Sequence, residues 1–131
     1  MEKIELEELY RRKKAQTVKL IEVADVTRQI AECVEHGDAV AAQMLLSERE
    51  QPVQELRELE EGVRGYIEEL PEEDAIRANA LLHGEEAETE DEKRLADQTA
   101  QFRRLLDSVV AMDRQLSIRL GGSRSFYKKF R

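Results

Sequence analysis

The sequence predicts an all-α protein: an elongated antiparallel bundle of three long helices, with a short extra helix in the 71–84 connection. Three observations carry that reading. Fifteen leucines and thirteen alanines stand against three Phe, three Tyr and no Trp, a long-helix composition. Two prolines and six glycines are too few for an all-β chain, which turns every ten residues or so. Apolar residues recur at three-and-four spacing through three segments, each too polar to be buried all round. At 131 residues the chain suits one domain.

The first helix is expected over residues 2–36, a stretch without Gly or Pro. Leu6, Leu9, Leu20, Val23, Ile30 and Val34 form its stripe, widened by Ile21, Ala24 and Ala31. Lys13 and Gln16 interrupt the stripe, so the first two turns are expected to project beyond the bundle. Glu7 to Arg11 and Glu8 to Arg12 place acid before base four residues apart, the favourable helix order. At His36-Gly37-Asp38 the glycine can take the left-handed conformation that ends a helix, and the aspartate can cap the next.

The second helix is expected over 39–70, with Val40, Met44, Leu45, Leu56, Val63 and Tyr66 among its apolar positions. Pro52 lacks a donor and clashes with the preceding turn, which predicts a kink or brief break near 47–52, with Ser47 and Glu50 spaced to restart the helix. Pro71 closes this element. An acidic connection over 71–89 comes next, holding a short helix with Ile76, Leu81 and Leu82 that Gly84 stops. Glu68 to Glu92 contains eleven acids and only Arg77 as a base, a pattern expected of a solvated, mobile connection. The third long helix is expected over 90–120, with Leu95, Phe102, Leu105, Leu106, Val109 and Met112 leading to Leu116 and Leu120. Residues 1–120 thus read as the bundle and 121–131 as a basic, aromatic tail.

A net charge of −8 argues against nucleic acid as a partner, because phosphate binding needs a basic stripe. The longest apolar run, Val109 to Met112, is far short of the roughly 20 residues of a membrane span, so no stable membrane insertion is expected. The Met-Glu-Lys-Ile-Glu start lacks a secretory core, and Cys33 is the only cysteine; both fit a cytoplasmic location.

Little here suggests chemistry. His36 and His83 each adjoin a glycine at a helix end, where an imidazole caps final carbonyls. Cys33 has no activating histidine motif nearby. There is no Glu-x-x-His pair for a di-metal site, and neither Gly62, Gly65 nor Gly121-Gly122 builds a phosphate loop. The expectation is no catalytic residues, no metal and no cofactor: a binding protein, not an enzyme.

The tail is the exception. Residues 121–131 hold four bases, no acids and Phe126, Tyr127 and Phe130, half the aromatics of the chain, beyond a double glycine. Aromatic rings and Arg dominate binding hot spots because they bury much area at low entropic cost. Two readings stand at this level: the tail packs back on the bundle, its bases answering the acidic connection, or it docks a partner. In the second, Phe126, Tyr127, Lys128, Lys129 and Phe130, with Leu116 and Leu120, form the partner-binding surface.

The pattern resembles the FlgN-type (FlgN/FliT-like) flagellar export chaperones. The resemblance rests on the first long helix running into His36-Gly37-Asp38, and on Met44-Leu45-Leu46 with the segment from Glu48 to Leu56. It ends on Met112-Asp113-Arg114-Gln115-Leu116 leading to Ser125-Phe126-Tyr127-Lys128-Lys129. What it implies is a cytoplasmic chaperone that binds flagellar hook-associated proteins of the hook-filament junction and delivers them to the export apparatus, with Tyr127 helping to dock that machinery. The alternative is a structural coiled-coil protein whose stripes are consumed in a homodimer.

Overall fold

The structure, a computed structural model, describes residues 1–120; those residues form four helices and no strand. They are α1 (Lys3–Glu35), α2 (Ala39–Glu68), α3 (Glu72–Leu82) and α4 (Glu90–Arg119). No helix among them is long and apolar enough to cross a membrane.

The ends obey the local chemistry. Glu2 and Glu5 form a reciprocal capping box at the start of α1. Gly37 takes φ +74°, and Asp38 Oδ1 accepts the Ala41 N–H at 3.1 Å to open α2. Gly84 takes φ +95°, and Thr89 Oγ1 accepts the Glu92 N–H at 3.1 Å to open α4. His36 and His83 each donate from Nδ1 to the carbonyl four residues back, Glu32 at 2.7 Å and Asn79 at 2.6 Å. Glu8 pairs with both Arg11 and Arg12.

α1 is the spine. It packs along both α2 and α4, whereas α2 and α4 make few close backbone approaches to each other. Partners along α2 fall in number as those on α1 rise: Arg12 with Tyr66, Lys19 with Glu55, Thr27 with Arg49. Along α4 they rise together, from Tyr10 with Arg94 to Thr17 with Gln98.

Two apolar clusters result. At one end Leu6, Leu9, Val63, Ile67, Leu81 and Leu95 close around Ala78. Farther along, Leu20, Val23, Ala24, Val53, Leu56 and Val109 form the second. Burying a Leu-sized side chain contributes about 1.5–3 kcal/mol, so each cluster is a substantial anchor.

Several expectations change. The first turns of α1 do not project; Leu6 and Leu9 are buried because α3 lies over them. The acidic connection is held, not loose. Ala78 and Leu81 are fully buried, and Arg77 donates from Nε and Nη2 to both Glu92 carboxylate oxygens, at 3.2 and 2.6 Å, and from Nη2 to the Glu86 carbonyl at 2.9 Å. Helix α2 runs unbroken through Pro52. The cost of an interior proline, ~3 kcal/mol, is borne by a helix whose flanking Arg49, Val53 and Leu56 are all buried. Val40 and Met44 point outward, because Ala42 takes the inward position and residues two away lie on the opposite side of a helix. Ile21 and Ile76 are likewise exposed.

Candidate binding groove

The wide separation of α2 and α4 leaves a groove of about 630 Å³ between them, within the ~300–1,000 Å³ range of ligand sites. Its α2 wall carries Leu56, Val63 and Ile67, and its α4 wall Phe102, Leu106 and Val110. Leu82 and His83, at the end of α3, contribute near Ile67 and Glu68. Charged residues of both signs border it: Glu60, Arg64 and Glu68 on α2, Arg103 and Asp107 on α4.

The floor belongs to α1, and it is polar. Lys13 and Gln16, which break the α1 stripe in sequence, sit here with 8% and 2% exposure. They lie between the two apolar clusters, beside a small hydrogen-bonded network. Gln98 Nε2 donates to Thr17 Oγ1 at 2.9 Å, and Thr17 Oγ1 donates to the Lys13 carbonyl at 3.1 Å. Gln16 Oε1 is buried and has no hydrogen-bond partner among the described residues.

The Lys13 ammonium stands 4.1 Å from the centroid of the Phe102 ring. That cation–π contact contributes about 0.5–2 kcal/mol. Burial brings the Lys13 pKa down to about 8; Glu60 acts against this and Arg103 adds to it. No side chain among the described residues forms an ion pair with Lys13.

A second buried cation lies farther along. Arg49 Nη2 donates to Asp113 Oδ1 at 2.8 Å and Nη1 to Thr27 Oγ1 at 3.5 Å, while Thr27 donates to the Val23 carbonyl at 2.7 Å. Burial lowers the Arg49 pKa to about 10, with Asp113 opposing the shift. This pair ties α2 to α4 where the backbones stay apart.

Of the residues expected to bind a partner, Leu116 is buried in the bundle at 4% exposure and Leu120 is 48% exposed. Phe126, Tyr127, Lys128, Lys129 and Phe130 lie outside the described residues. Exposed Val40 and Met44 lie at the same end of the molecule as Ile118 and Leu120, since Arg49 and Asp113 fix the register of the two helices. Among the described residues no cluster of three His, Cys, Asp or Glu side chains could hold a metal ion. The resemblance implied an apolar strip left incompletely covered for a client helix, but sequence reasoning did not place it between α2 and α4. The available signal was the pair of polar residues inside an apolar stripe.

Compared with protein-family models, with curated proteins and with solved structures, the chain matches none.

Proposed function

We propose that this protein is a helix-binding chaperone: an elongated antiparallel bundle of three long helices whose α2–α4 groove receives an amphipathic helix from a client. The single observation behind the reading is that groove, flanked on both sides by apolar side chains and floored by α1. Helix-in-groove recognition needs an apolar trough about one helix wide and several turns long. From Leu56 to Glu68 the α2 wall runs roughly 18 Å at 1.5 Å per residue, enough for three turns of a partner.

Within this reading the client class is the one the sequence resemblance implies, the flagellar hook-associated proteins of the hook-filament junction, and the setting is the cytoplasm. The terminal helices of such clients would be kept from self-association until delivery to the export apparatus. Residues 122–131, with their bases and aromatic rings, are the second contact and dock the machinery. No catalytic step is involved.

The test is co-expression of the tagged chain with hook-filament junction proteins, then copurification. Wild type should retain a client. Leu106→Arg should weaken retention at least tenfold with helicity by circular dichroism unchanged, and deletion of Gly122 to Arg131 should spare client binding but reduce capture of the export machinery. If no junction protein copurifies, the chaperone assignment is lost. A stable dimer by light scattering whose interface fills the groove would replace it with a scaffolding role.

A further inference from the structure

The groove floor is unusual for an apolar trough. At its centre stands an ammonium with no carboxylate partner among the described residues, next to a buried Gln16 carbonyl that also lacks a donor among them. Glu60 on α2 favours the charged Lys13 and Arg103 on α4 opposes it, but neither forms an ion pair or hydrogen bond with the ammonium among the described residues. Phe102 screens one side of the ammonium with its ring face.

A helix laid over this floor removes what solvent contact remains. If that helix were wholly apolar, it would seal a charge with no ionic partner, and an uncompensated buried charge is among the most costly arrangements in a protein. A cover that keeps the ammonium charged must place an anion beside it; otherwise Lys13 gives up its proton on binding.

We infer that the partner helix carries a carboxylate in the middle of its apolar face, and that this carboxylate pairs with Lys13. The inference rests on the groove being the helix-binding surface proposed above. Its chemistry is specific: an aspartate or glutamate within an otherwise apolar stripe, flanked by residues that meet Leu56 and Val63 on one wall and Phe102 and Leu106 on the other. Such a residue fixes the register of the incoming helix, as a single polar group does in a coiled-coil seam. The lysine thereby selects among amphipathic helices that apolar walls alone would accept equally.

The experiment uses a displayed library of 18-residue amphipathic helices with randomised central apolar-face positions, selected against the full chain. The best binder is then synthesised with Glu or Gln at the central position. Each form is measured by fluorescence anisotropy against wild type and Lys13→Met, with circular dichroism to confirm that the variant is folded. The expected result is enrichment of Asp or Glu, a Glu-over-Gln preference of roughly 10- to 100-fold on wild type, and collapse of that preference on Lys13→Met. Binders that are weakened by Leu106→Arg but show no preference for an acid would overturn the inference and leave the groove reading intact. A selection yielding no binder sensitive to Leu106→Arg would remove the groove reading and this inference with it.

Discussion

Arg49 and Lys13 are both cations withdrawn from water, but among the described residues only Arg49 is paired with an anion. Arg49 is clasped by Asp113 and reaches the Thr27 hydroxyl, so its charge is answered within the fold. Lys13 faces a groove and rests on a ring. The difference separates two uses of buried charge. A paired cation joins two helices that otherwise keep their distance. One without a carboxylate lowers the stability of the isolated protein, and in the helix-binding role proposed above it is the group a partner's anion would meet.

The sharpest way to break the comparison is to remove the anion from the paired site. Asp113→Ala should destabilise the protein by about 3–5 kcal/mol in urea unfolding, because Arg49 loses its buried carboxylate. Replacing both partners, Arg49→Met with Asp113→Leu, should recover most of that loss. A double variant as unstable as the single one would show that the two side chains are not acting as a pair.

Lys13→Met should act in the opposite direction. The lysine is protonated in the unfolded chain up to its ordinary pKa of 10.5, but in the folded protein only up to about 8. Between these values the unfolded state binds more protons, so the stability of wild type rises with pH across that window. Below about pH 8 the full penalty is present, on the order of 3 kcal/mol before the lost ring contact is subtracted. Lys13→Met should therefore be more stable than wild type at pH 7, with the gap closing toward pH 10.5. Denaturant midpoints at several pH values would decide it, and a gap independent of pH would show that Lys13 is not desolvated as described. Thr27→Val, which deletes the hydroxyl beneath Arg49, should cost about 1 kcal/mol by the same denaturation assay. The smallest effect is a reference point away from either cation: Gly65→Ala, in the interior of α2 with open space at its Cβ, should stabilise by about 0.5–1 kcal/mol in thermal unfolding.

Most of the helix layout was legible because it depends on local signals. Gly37 and Gly84 sit where the chain needs a positive φ, Asp38 and Thr89 cap α2 and α4, and the leucine spacing marks the inward faces of α1 and α4. The rest depended on tertiary context. Ala78 and Leu81 turn an acidic stretch into a packed helix only because Leu6, Leu9 and Leu95 are there to receive them. Val40 and Met44 fit a helical period, yet a neighbouring alanine took the core position. Periodicity marks Lys13 and Gln16 as faults in a stripe, and only the spacing of α2 from α4 makes them a floor. The aromatic tail, the strongest compositional signal in the chain, falls outside the described residues.

The two ties between α2 and α4 have a geometric consequence. One is the Arg49–Asp113 clasp, and the other is α3, which touches both helices near Leu95. From Leu95 to Asp113 along α4 is roughly 27 Å, or five helical turns. The opening is therefore a window with a crossbar at either end, and under the proposed role the frame would act as a ruler: a visiting rod would have to offer a contact stretch that fits between the bars, or break one of them to lie down.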